Sequence, residues 1–114
     1  MKEDLQKYRK DLEIIRDTAK QVIKDFNMSG LEITFSGNEL TAYEELRSQL
    51  TPVLSMLFRN DQSGFQNLLY RIDINERDLN NLLIETGTDI FPDAVADLIL
   101  QREFRKVLSR RFYS

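Results

Sequence analysis

Four glycines and two prolines are all the backbone punctuation in these 114 residues. An all-β fold needs a turn signal about every 8–12 residues, and that supply is missing here. Long regular elements are therefore expected, and apolar spacing marks them as helices. Between residues 2 and 27, Leu5, Tyr8, Leu12, Ile15, Ala19, Val22 and Phe26 alternate at three and four without a slip. That is the a/d stripe of a packed helix. One use of the stripe is self-association through Leu5, Tyr8, Leu12, Ile15 and Val22, with Asp11 at a g position and Arg16 at the next e position, as a homodimeric parallel pairing favours. The other use is packing along its own domain, which Ile14 and Ile23 favour by widening the stripe. Such a helix is roughly 39 Å long, whereas a sphere with the radius of gyration expected for this length is about 34 Å across. The helix must span the molecule or overshoot it.

After Asn27-Met28-Ser29-Gly30, the stretch LEITF alternates Leu31, Ile33 and Phe35 with Glu32 and Thr34. This is the period of a half-buried strand. A lone strand cannot pair its own backbone groups. Residues 31–35 must therefore join a second short segment, pair across a dimer, or serve as an extended connector. Residues 70–74 also alternate but read better as a helix end. Helical spacing resumes over 39–59 through Leu40, Tyr43, Leu46, Leu50, Val53, Leu54 and Leu57. Pro52 either kinks this helix or opens a second one with Thr51 as its N-cap. NDQSG at 60–64 is a turn before the short helix FQNLLYRI, and Asn75 caps a further helix that stops at Gly87. The last helix opens near Pro92 and runs to about Arg111, its AVADLIL half apolar on nearly all sides and so central to the core. The expectation is a single helical domain over 1–114, all-α or nearly so. It should be a compact bundle of five or six helices, with a long N-terminal helix and at most one short strand or hairpin near 31–35.

The residue inventory bears on function mainly by exclusion. Hydrophobic residues at 41% and charged residues at 31% describe a globular chain with a core of its own. With neither cysteine nor histidine, the chain lacks disulfides, thiolate zinc ligands, a thiol nucleophile, and the commonest general base and metal ligand. No phosphate-cradling GxxxxGK[ST] loop is present. No catalytic, cofactor-binding or metal-ligating residue is expected, and no cofactor. Asp89, Asp93 and Asp97 are spaced by four and could gather Mg²⁺ or Ca²⁺, but acids in a first helical turn are also what the helix dipole favours. The opening MKEDLQKYRKDLE is charged throughout and lacks the apolar segment of a signal peptide. No apolar run has the length to span a bilayer. A cytoplasmic protein without a membrane partner is the expectation.

The ending LILQREFRKVLSRRFYS runs against an acidic chain. Residues 98–114 hold five basic groups and one acid, while residues 1–97 hold eleven basic groups against eighteen acids. At 100° per residue, Arg102, Arg105, Lys106 and Arg110 share an arc of roughly 140°, with Leu100, Phe104, Val107 and Leu108 opposite. Such a stripe can bind phosphates or an acidic partner, and Phe112 and Tyr113 could stack on bases. It can equally be the solvated face of a helix whose C-terminus favours cations, and a pI near 5.0 is wrong for a dedicated nucleic-acid binder.

The functional expectation is a protein–protein interaction or accessory scaffold module rather than a catalyst, with a protein partner or a homodimer. The rival reading is a nucleic-acid-binding accessory protein that uses the basic C-terminal helix. A carboxylate or metal-dependent enzyme comes third, and requires Asp93 and Asp97 to converge on a pocket.

Overall fold

The computed structural model describes the backbone of residues 2–113 and the side chains of residues 10–112. Among these, the chain forms helix α1 (Lys2–Met28), a 3₁₀ turn (Glu39–Thr41), and helices α2 (Ala42–Asn60), α3 (Gln62–Ile72) and α4 (Glu76–Tyr113). The fold is all-α, with no strand among the described residues.

Four α-helices stand where five or six were expected, and two residues account for the difference. Pro52 lies inside α2, which runs through it. Thr51 therefore opens no second helix, and its hydroxyl is buried without a partner. Gly87 was expected to stop a helix. It takes φ 75° and ψ 170°, and helix resumes directly after it, so the expected stop is a break within α4. That backbone region is accessible almost only to glycine.

The α1 stripe is used within the chain. Ala19, Val22 and Phe26 are buried in the core shared with α2, α3 and α4, and Ile14 beside the stripe is buried as well. Val22 is thus enclosed in the chain's own core, not on a surface open to a second copy as the self-association set required. Leu12 and Ile15 are half-buried, while the side chains of Leu5 and Tyr8 lie outside the described residues. Arg16 pairs with Glu39 of the same chain at 2.8 Å, instead of reaching for an acid on a second helix. The described residues extend 50 × 27 × 24 Å with a radius of gyration of 15.0 Å, so the long helices, not a sphere, set the longest axis.

Helix ends follow local chemistry. Gly30, at φ 77°, closes α1: its own N–H bonds the Asn27 carbonyl at 2.9 Å, and the Leu31 N–H bonds the Phe26 carbonyl at 2.9 Å. This is a Schellman motif with glycine in the left-handed position. α3 ends in the same way, but with Asp73 at φ 69°, a residue whose short polar side chain tolerates that region. Asp61 starts α3 by accepting from the Gly64 N–H at 2.9 Å, which compresses the expected 60–64 turn to a single cap residue.

The segment 31–36 is an extended connector, and α2 supplies the partners that a second strand would otherwise provide. Gln49 accepts from the Thr34 N–H at 2.9 Å and donates to the Thr34 carbonyl at 2.8 Å. Glu45 accepts from the Ser36 N–H at 2.6 Å and its hydroxyl at 2.8 Å. The alternation read in the sequence is real in burial, since Ile33 is buried and Glu32 and Thr34 are exposed. What it lacks is a ladder. Leu50 and Leu54 of α2, Leu68 and Ile72 of α3, and Val95 and Ile99 of α4 fill the centre without exposure. At one end of the core, the rings of Phe58, Phe65 and Phe91 pack with centroids 4.9–6.1 Å apart.

Candidate interaction surfaces

Most cations at the basic end of α4 are paired with groups of the same chain. Arg102 donates to Asp73 at 2.8 Å and Lys106 to the Ile72 carbonyl at 2.6 Å. Two cations thus grip the C-terminus of α3, where carbonyls lack helical partners and the dipole is negative. Arg110 donates to Gln21 at 3.0 Å. Arg111 bridges Glu13 at 3.2 Å and Asp17 at 2.6 Å on α1. Arg105 is exposed and makes no hydrogen bond or ion pair among the described residues. The stripe read from the sequence is therefore mainly an intramolecular clamp. Phe104, assigned by its position to the core side, is 40% exposed.

The three spaced aspartates do not gather. Asp97 is taken up by α2, whose Arg47 donates at 2.7 Å and whose Tyr43 hydroxyl also donates to it. Burial pushes the Asp97 carboxyl up, but the bonds from Arg47 and Tyr43 outweigh it and hold the group below the usual range. No cluster of three or more potential metal ligands exists among the described residues. None of their helices is long and apolar enough to cross a membrane.

An apolar concavity lies elsewhere. A groove of about 390 Å³ runs between α1, the 3₁₀ turn, α2 and α4, lined by Ile15, Thr18, Glu39, Leu40, Ala42, Tyr43, Leu46, Leu100, Gln101 and Phe104. Leu40 is 78% exposed and Tyr43 50% exposed at its edge. The charges on its rim are already neutralised, by the Arg16–Glu39 pair on one side and the Tyr43–Arg47–Asp97 cluster on the other. Such a surface offers apolar contact rather than charge. In the sequence, Leu40, Tyr43 and Leu46 fall on one helix stripe, and Leu100 and Phe104 on the core side of another. Spacing alone could not show that no other element covers the place where the two stripes meet.

A second feature lies between α1 and α4. Glu103 of α4 is fully buried and Asp25 of α1 is 7% exposed. Burial first, then the neighbouring Asp25 carboxyl, push Glu103 up to about 8, while Lys106 opposes the shift. A signal for the pair was present in the sequence. Glu103 stands four residues from both Ile99 and Val107, and Asp25 three from Val22, so each acid interrupts an apolar face.

No protein-family model matches the chain, and no solved structure matches it.

Proposed function

We propose that this chain is a protein-interaction module that works by binding rather than by chemistry, and that its groove receives an amphipathic helix, first of all that of a second copy. The observation that carries this reading is the groove itself, an apolar trough of about 390 Å³ with Leu40, Tyr43 and Phe104 left exposed around it. Helix-in-groove recognition needs helical walls, an apolar floor and anchors at helical spacing. The chain itself offers such a helix: Leu5, Tyr8 and Leu12 continue in sequence the stripe whose next member, Ile15, lines the groove. An isologous pairing in which each copy supplies both stripe and groove closes on itself. The contacts that Arg102 and Arg111 make with acids and Arg110 with Gln21 of the same chain favour this reading over the nucleic-acid one, because phosphates would have to compete with those partners.

The test is molar mass by light scattering after size-exclusion chromatography, over a concentration series at low and high salt. Association that survives high salt and is lost in Leu40→Asp/Phe104→Asp is expected, since apolar contact is weakly screened. A chain that stays monomeric at every concentration, or association unchanged in that variant, overturns the reading.

A further inference from the structure

Three carboxylate oxygens are enclosed between α1 and α4 with no hydrogen-bond partner: Oδ2 of Asp25 and both oxygens of Glu103. Buried polar atoms are rarely left so, and each such vacancy is costly. A single proton held between the two groups turns two of the three orphans into a donor–acceptor pair. The surroundings hold the pair in place without satisfying it. Gln21 donates to Asp25 Oδ1 at 3.1 Å and is itself engaged by Arg110. Lys106 forms an ion pair with Glu103 Oε1 at 3.4 Å, longer than its hydrogen bond to the Ile72 carbonyl at 2.6 Å. The ionisable groups acting on Glu103 are thus Asp25 from α1 and Lys106 from α4, and the Ile72 carbonyl of α3 accepts from Lys106.

We propose that the Asp25–Glu103 pair is a proton-held latch that regulates the groove by fastening α1 to α4. Both helices that the pair joins also supply groove walls, Ile15 and Thr18 from α1, Leu100 and Phe104 from α4. Glu103 is next to Phe104 and one turn from Leu100, so a shift of that turn moves the groove wall directly. With its proton, the pair closes the two helices on each other. Without it, two facing carboxylates repel in a space that excludes water, and Glu103 reaches solvent only if α1 and α4 separate there. Perturbed titratable pairs next to a cleft mark functional sites in general. The consequence for binding rests on the groove reading above. An occupant that requires the closed form loses up to about tenfold in apparent affinity per pH unit above the latch's midpoint.

The experiment is a pH titration of the chain alone by methyl and amide NMR, comparing the wild type with Glu103→Gln and Asp25→Asn. It needs no occupant, so the latch passes or fails independently of the light-scattering test of the groove. In the wild type, the signals of Ile15, Leu100 and Phe104 are expected to shift together with one midpoint near 8. In Glu103→Gln that shift is lost, and in Asp25→Asn the midpoint moves to lower pH because the facing carboxylate is gone. Groove signals that stay put in the wild type, or that titrate identically in Glu103→Gln, overturn the latch. Should Glu103→Gln not fold, the Asp25→Asn midpoint decides, and an unmoved midpoint overturns it.

Discussion

Glu103→Gln should make this protein more stable at neutral pH, and the amount follows from the carboxyl's surroundings. An ordinary glutamate titrates near 4.5, whereas burial beside Asp25 pushes Glu103 up to about 8. Between those values the unfolded chain has released a proton that the folded chain still holds. Each pH unit in that window therefore costs the fold about 1.4 kcal/mol. The contribution is fully present below the unfolded value and is lost as pH rises through the folded one. The loss is about 3 kcal/mol at pH 7 and levels off near 5 kcal/mol above about pH 9. Glutamine has nearly the same shape, nothing to ionise, and an amide that can donate to Asp25. The two chains should then agree within about 1 kcal/mol near pH 4, and the variant should lead by about 3 kcal/mol at pH 7. Urea unfolding followed by helical circular dichroism, at steps from about pH 4 to about pH 9, reads this difference while other titrations cancel. Stability profiles that run parallel over the whole range refute the reasoning.

Other expectations follow from single contacts. Gln49→Ala removes both hydrogen bonds to the Thr34 backbone and should cost about 1–2 kcal/mol in urea unfolding, with faster exchange of the Thr34 amide; unchanged exchange would mean that the connector is held by packing alone. Gly87→Ala forces a side chain into φ 75°, ψ 170° and should cost about 1–3 kcal/mol in the same assay, whereas no loss would show that the break in α4 relaxes freely. Lys106→Gln weakens the grip on the α3 terminus and should cost about 1–3 kcal/mol, while Arg105→Gln should leave the melting temperature unchanged; equal effects would refute the division of the stripe into clamp and free cation.

Much of the architecture was legible because periodicity is a local property. The spacing of Ala19, Val22 and Phe26 says helix, and says which face, wherever the helix ends up. Gly30, Asn75 and Gly87 mark changes of direction because their demands on φ and ψ, or their capping bonds, involve only the next few residues. The choices that spacing left open are equally instructive. LEITF carries a strand's alternation, but whether an extended segment becomes a strand depends on what lies beside it, and here Gln49 and Glu45 of α2 take that place. Pro52 left two readings open, a kink in one helix or the start of a second, and α2 runs through it as one helix.

The sequence by itself determined that this chain is helical, that the middle of α4 belongs to a core, and that cations collect at the α4 end. Each of these follows from residue type and spacing along one helix. Only the tertiary structure decided what those faces meet. It turned Arg102, Arg110 and Arg111 onto acids and amides of the same chain, withdrew Val22 from any outer surface, and left Leu40, Tyr43 and Phe104 around an uncovered groove. It also set Asp25 against Glu103, two acids 78 positions apart in the chain. A carboxyl's charge state depends on its neighbours in space, and no one-dimensional pattern records which neighbours folding will bring.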